Sequence, residues 1–294
     1  MTAAHSSGAG GTTVVACCQL APQVGNGAGN LARAESAVRQ AAAAGAEVVV
    51  LPELTTSGYS FADAGEAASL AEPVPGPSTS AWKQLAAELG VTIVAGVCED
   101  SGHGRLFNTA VIVDRRGMLA GYRKAHLWDR EKLVFTPGDQ APPVVDVGGR
   151  RLSVMICYDV EFPEWVRLPA LQGTDLLCVP ANWPRFPRPA GERPMEVVRV
   201  QAAASANRMF IAACDRVGTE RGNDWVGGSV IADPDGWPLA GGSATSEPQI
   251  LVAECRLGEA RDKTISAHND VHGDRRPQMY AHDILEEAPG DRRP

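Results

Sequence analysis

Short runs of β-branched and apolar residues alternate with alanine-rich stretches of helical period along most of the chain. The runs predict strands over residues 13–20, 47–51, 92–98, 109–114, 152–157, 175–179, 210–214, 229–232 and 250–254. Several, such as EVVVL and DLLCV, are continuously apolar, as in strands buried on both faces. Helices are predicted over 30–44, 78–89, 163–172 and 193–207. In the first, Leu31, Ala34, Val38 and Ala42 share one face, and Asn30 stands where an N-cap belongs. This alternation predicts an α/β fold with helices covering sheet. The strands are too many for one small open sheet. Two sheets packed face to face, each covered by helices, are a reasonable solution that periodicity alone leaves open.

From about Arg261 the rhythm stops. The expected organisation is a flexible leader over 1–12, one domain over 13–260 and a polar tail over 261–294. The tail reads equally as a docking arm or as a disordered segment. The leader, MTAAHSSGAGG, has neither a basic residue nor an apolar core and does not read as a secretory signal. The Pro/Gly-rich stretches at 72–77 and 184–194 are short enough to be surface loops, and there is no repeat of solenoid period.

Composition narrows the function classes. With 44% hydrophobic and 21% charged residues over 294 positions, the chain can bury a large core, which excludes disorder as its main state. The formal net charge is −8 and no basic run interrupts it, which argues against nucleic acid and anionic membranes as partners. No apolar stretch approaches the roughly 20 residues of a membrane span. Seven cysteines, an odd number without a CxxC pair, argue against a disulfide scaffold or a cysteine zinc site. Reduced thiols in a cytoplasm are the simplest expectation.

There is no GxGxxG, P-loop, GxSxG or HExxH. His268 and His272 stand four apart, but in a polar tail beside Gly273, and no metal is expected there. Three segments carry chemistry. In RRLSVMICYDVEFPEW, Cys157 ends an apolar run and Pro163 can begin the next helix. A thiol at such a turn is either a buried core residue or an exposed nucleophile with backbone N–H groups facing a developing oxyanion. In VVVLPELTTSGY, Glu53 follows a buried strand: an exposed loop acid, or a general base with a raised pKa. In GYRKAHLWDREKL, Lys124 is a solvated surface lysine or an electrophile, and Glu131, seven residues on, could hold the lysine or the base in place. Thiol, carboxylate and ammonium form a chemically sufficient set, and the lysine's charge should favour the thiolate.

The set resembles the nitrilase superfamily, carbon–nitrogen hydrolases with a Glu–Lys–Cys triad. LPE at Glu53, YRKAHL at Lys124 and ICYD at Cys157 match in order and spacing, supported by NTAVIVDRRG, FTPGD, VPANW and DRRPQMY. The resemblance spans roughly residues 13–280. It implies a four-layer αββα sandwich that pairs as an αββα–αββα homodimer, often assembling further, with the tail docking at that interface. It implies Glu53 as general base and then acid, Cys157 as nucleophile, and Lys124 with the Tyr158 backbone N–H as the oxyanion site. Glu131 matches the family's second, orienting glutamate. No cofactor is implied. True nitrilases usually carry tryptophan and glutamate after the cysteine. Tyr158 and Asp159 stand here, as in amidase-like and carbamoylase-like branches. EFPEWVR is similar to bacterial aliphatic and stereoselective amidases, so a small linear amide is the expected substrate. Nitrile hydrolysis and N-carbamoyl amine hydrolysis are the alternatives with the same triad. A non-catalytic binding module on the same scaffold is a rival of another class, opposed by the intact triad. By position, Tyr59, Phe162, Asn182 and Trp183 are candidates for the substrate pocket or for rim packing. Glu161 and Glu164 either meet a cationic substrate group or are ordinary helix-start acids.

Overall fold

The computed structural model describes residues 11–280. Most of the leader and the end of the tail therefore lie outside the described residues. The chain divides into two compact units between Asp262 and Lys263.

The first unit runs β1 (Thr13–Gln19), α1 (Gly27–Ala43), β2 (Val48–Val50), α2 (Ala64–Leu70), α3 (Pro77–Leu89), β3 (Thr92–Asp100), β4 (Leu106–Asp114), β5 (Gly117–Arg123), β6 (Val144–Val147), β7 (Arg150–Val154), α4 (Pro163–Leu171), β8 (Leu176–Pro180), α5 (Met195–Asn207), β9 (Phe210–Cys214), the short pair β10 (Thr219–Glu220) and β11 (Asn223–Asp224), β12 (Val230–Ala232), β13 (Pro238–Gly241) and β14 (Gln249–Cys255). The second unit holds a small hairpin, β15 (Thr264–Ser266) with β16 (Asn269–Asp270), and one helical turn, α6 (Pro277–Tyr280).

Two six-stranded sheets result, in the orders β14-β1-β2-β3-β4-β5 and β13-β12-β9-β8-β7-β6. Each has three parallel strands, β1–β2–β3 and β7–β8–β9, with antiparallel strands on both sides. The sheets pack on each other, β1 against β9 and β12, β2 and β3 against β8. The two-residue period of a strand sorts the side chains. Val15, Cys17, Val48, Val50, Val94, Ala110 and Ile112 join the core facing the second sheet. Their neighbours Ala16, Cys18, Val49, Leu51, Ile93, Ala95, Val111 and Val113 face α1 and α3, which contribute Ala34, Val38, Trp82 and Leu85. On the second sheet, α4 and α5 bring Val166, Ala170, Val197 and Val200 into the core. Continuous burial of the central strands is thus the consequence of helices on one face and a second sheet on the other, the arrangement expected from the sequence.

Every predicted strand and helix is present, with ends shifted by a few residues. Three corrections have physical causes. The N-cap of α1 is Asn26, whose side chain accepts from Gly29 N at 3.2 Å. Asn30 lies inside the helix, buried, donating to the Gln23 and Thr56 carbonyls at 2.7 and 2.9 Å. Cys157 does not end a strand: β7 stops at Val154, and Cys157 opens a short 3-10 turn, Cys157–Glu161. Strands β5, β6 and β13 and helix α2 were not predicted, because their exposed or glycine-containing sequences carry little apolar periodicity. No helix among the described residues is long and apolar enough to cross a membrane.

Candidate active site

Glu53, Lys124, Cys157 and Asn182 follow the ends of β2, β5, β7 and β8, so three of the four sit beyond the carboxyl ends of parallel strands, the usual ligand position in α/β sheets. Two turns there hold non-glycine residues in the left-handed region: Leu54, next to Glu53, at φ 48° and Cys157 at φ 48°. Such conformations cost of order 1–3 kcal/mol each and persist where the surroundings impose them. Gly96 of β3 leaves the room that the Glu53–Leu54 turn occupies. A Cβ there would stand 2.3 Å from Leu54 N and 2.7 Å from Glu53 Cα. Gly96→Ala should therefore displace the Glu53 turn and lower turnover by about 10²-fold. Steady-state assays with circular dichroism as a folding control check this.

The charged groups form one buried cluster. Lys124 Nζ lies 2.7 Å from Glu53 Oε1 and 2.7 Å from Glu131 Oε1, with Lys124 and Glu53 fully buried. Asn108 donates to Glu53 Oε1 at 2.6 Å. Tyr59 OH donates to Glu131 Oε1 at 2.6 Å, and Trp128 N to Glu131 Oε2 at 3.0 Å. Glu53 Oε2 is buried with no hydrogen-bond partner among the described residues. The Cys157 thiol donates to the Asn182 carbonyl at 3.8 Å, and Asn182 Nδ2 donates to the Glu53 carbonyl at 3.0 Å.

Protonation follows from this packing. Burial raises the Glu53 carboxyl to about 7, and the Glu131 charge adds to the rise against the opposing effect of Lys124. Burial works to lower Lys124, but Glu131 and Glu53 outweigh it and hold the amine well above its ordinary value. Cys157 is held well above a normal thiol, first by burial and then by Glu53, with Lys124 pulling the other way. Lys124 favours the thiolate as expected, but desolvation and the two carboxylates outweigh it. The resting pair is a neutral thiol near a carboxyl that titrates close to neutrality.

Two cavities adjoin the cluster. One, about 320 Å³, has Cys157 on its wall, with Tyr158, Glu161 and Trp183. The other, about 840 Å³, is lined by Tyr59 and Glu131. Trp128, Tyr158, Pro184 and Phe186 border both. The chemistry favours the smaller as the reacting chamber, since it reaches the thiol. Tyr59 is thus bonded to Glu131 as well as lining a cavity. Phe162 stacks on His126, centroids 3.8 Å apart, one layer behind Tyr158, and lines neither cavity. Glu164 is exposed. Trp183 is 2% exposed and anchored by its N–H to Asp215 at 2.8 Å.

Asn108, Trp128, Arg216 and Glu220 escaped the sequence reading. Arg216 and Glu220 form a buried pair at 2.9 Å. Glu220 also accepts from Tyr59 N and Ser60 N at 3.0 and 2.8 Å, which holds the segment carrying Tyr59. A polar residue heading an apolar strand (Asn108 in NTAVIV) and an Arg–Glu pair four apart were the available signals.

Paired, helix-covered sheets of this kind are those of solved nitrilase-superfamily amidases. The amidase from Nesterenkonia sp. superposes with a TM-score of 0.76 at 29% identity, over 93% of this chain and 97% of that one. A variant of the Nesterenkonia sp. AN1 amidase carries the acetamide moiety of fluoroacetamide on its active-site cysteine (28% identity, TM-score 0.75, 92% and 97% covered). The chain belongs to the carbon–nitrogen hydrolase family, whose model matches residues 14–263. Among curated relatives, a nitrilase of Pyrococcus abyssi is 40% identical over 90% of this chain and 98% of its own, and a 2-oxoglutaramate amidase of Bacillus subtilis 34% identical over 88% and 98%. An N-carbamoylputrescine amidase of Solanum lycopersicum is 35% identical over 85% and 88%.

Proposed function

We propose that the protein is a thiol amidase that hydrolyses a small linear carboxamide to a carboxylic acid and ammonia through a thioester on Cys157. The observation that carries this reading is the buried Lys124 bridging Glu53 and Glu131 at 2.7 Å each, beside a thiol that opens onto a cavity.

Glu53, ionised, takes the thiol proton as sulfur bonds to the carbonyl carbon. The Lys124 ammonium and the Tyr158 N–H stabilise the oxyanion. Glu53 returns the proton to the amide nitrogen, the C–N bond breaks and ammonia leaves. Water then gives a proton to Glu53 while its oxygen attacks the thioester. The thiolate departs, is reprotonated by Glu53, and the acid is released. Glu131 carries no proton in this cycle. It fixes Lys124, and Tyr59 and the Trp128 N–H fix it in turn.

An N-carbamoyl amine is the second reading, supported by the Solanum relatives and by Tyr158 and Asp159 after the cysteine. Ammonia release from a panel of amides, nitriles and N-carbamoyl amines decides. Release chiefly from amides supports the first reading. Release chiefly from nitriles or carbamoyl compounds overturns it while keeping the triad. The pH profile adds a check on the base. A carboxyl raised to about 7 is protonated, and so inactive as a base, at lower pH. The kcat/KM should fall about tenfold per pH unit well below 7. An acid limb near the ordinary carboxylate range of about 4 contradicts the elevation of the Glu53 carboxyl.

A further inference from the structure

We infer that the cavity beside Cys157 selects a carboxamide whose far end carries an ammonium group, with Glu161 as the specificity-determining side chain. This rests on the amidase reading and adds the chemistry of the acyl chain to it.

The charge on the cavity wall is unbalanced. Its carboxylate and guanidinium side chains are Glu161, Glu196 and Arg199, two acids and one base. Arg199 Nη1 lies 3.1 Å from Glu161 Oε1, and one arginine cannot neutralise both Glu161 and Glu196. The surplus is one negative charge. Glu161 is the enclosed member, its side chain 20% exposed against 41% for Arg199. Burial pushes its carboxyl above the ordinary value, with Arg199 opposing that, Glu196 adding to it and Lys124 opposing it more weakly. A cation entering the cavity relieves both effects, whereas a second anion worsens them.

The rest of the wall suits the same ligand. Trp128, Tyr158 and Phe186 present aromatic rings, Trp128 and Tyr158 meeting edge to face with centroids 4.9 Å apart. Aromatic faces attract cations, and more strongly where water is partly excluded. Carboxylate plus aromatic ring is the recognition chemistry of an ammonium group. A carboxylate terminus would face Glu161 and Glu196 with one arginine already paired. The volume, about 320 Å³, suits a compact chain bound through Cys157 at one end. The ion pair of Glu161 is with α5, and Lys124 acts on it only as a weaker, more distant charge.

The test compares three amides of equal chain length: δ-aminovaleramide, its neutral isostere hexanamide, and adipamic acid. Ammonia release gives kcat/KM for the wild type, Glu161→Gln and Glu161→Arg. The inference expects the wild type to prefer δ-aminovaleramide over hexanamide by about tenfold or more, and to use adipamic acid least. Glu161→Gln should reduce that preference ratio about tenfold. Glu161→Arg should move the preference toward adipamic acid. Each readout is a ratio between substrates on one preparation, so partial misfolding cancels. Equal use of δ-aminovaleramide and hexanamide by the wild type overturns the inference and leaves the amidase reading standing. Equal loss on both substrates in Glu161→Gln does the same. No ammonia from any of the three, with release from nitriles or N-carbamoyl amines, overturns the amidase reading and the inference with it.

Discussion

Cys157→Ala is expected to abolish ammonia release, lowering kcat by about four orders of magnitude or more, with the fold retained. The residue is 5% exposed and its side chain is small, so its loss removes few packing contacts. What it removes is the only group that the scheme allows to bond to carbon. Residual rates after loss of a nucleophile reflect binding and oxyanion stabilisation alone. Cys157→Ser should be nearly as inactive. Glu53 titrates at about 7 and is matched to a thiol far better than to an alcohol, a much weaker acid. Activity assays with thermal melts check both variants. Turnover in Cys157→Ala within tenfold of the wild type contradicts the nucleophile assignment.

Lys124→Met is expected to lose both activity and stability. Methionine keeps most of the volume but leaves Glu53 and Glu131 buried with no cation between them. Breaking a buried pair in this way typically costs about 3–5 kcal/mol. For a chain of this size that is a fall in melting temperature on the order of 10 °C. In the proposed scheme the oxyanion also loses a charged partner, worth roughly 10²–10³ in kcat. The pH dependence has a definite sign. A carboxyl raised from 4.5 to about 7 holds its proton in the folded protein over a range where the unfolded chain has released it. Its contribution therefore turns against folding as pH rises from about 4.5 to about 7. Without Lys124 the Glu53 carboxyl goes higher still, and the window widens upward. The variant should lie closest to the wild type near pH 5 and furthest from it near pH 8, read by melting temperature. A difference that shrinks with rising pH contradicts the cluster as described.

The layered fold was legible because the central strands are short, apolar and interrupted by helices of clean period. EVVVL and DLLCV became β2 and β8, buried on both faces. Elements with a wet face were not legible: β5 is half exposed and has glycine at both Gly117 and Gly121. Glu53, Lys124 and Cys157 stood out because each is a polar or reactive residue set in an apolar context. Glu131 was legible with them, and Tyr59 was named only as a pocket candidate. The bonds that Asn108 and Tyr59 make, to residues 55 and 72 positions away, were not legible, because no local pattern reports such a contact. The protonation of the thiol was only partly legible for a related reason. Sequence shows a nearby cation, but only the packed structure shows that Cys157 is desolvated and shares that cation with two carboxylates.

The central claim is a covalent acyl-enzyme on Cys157. Intact-mass spectrometry of protein quenched during turnover of a slow amide, followed by peptide mapping, tests it most directly. The account predicts a mass increase equal to the acyl group, carried by the peptide containing Cys157 and lost on further incubation as the acid appears. Acylation of a different residue, or steady turnover by Cys157→Ala with the acyl group on no residue, would contradict it.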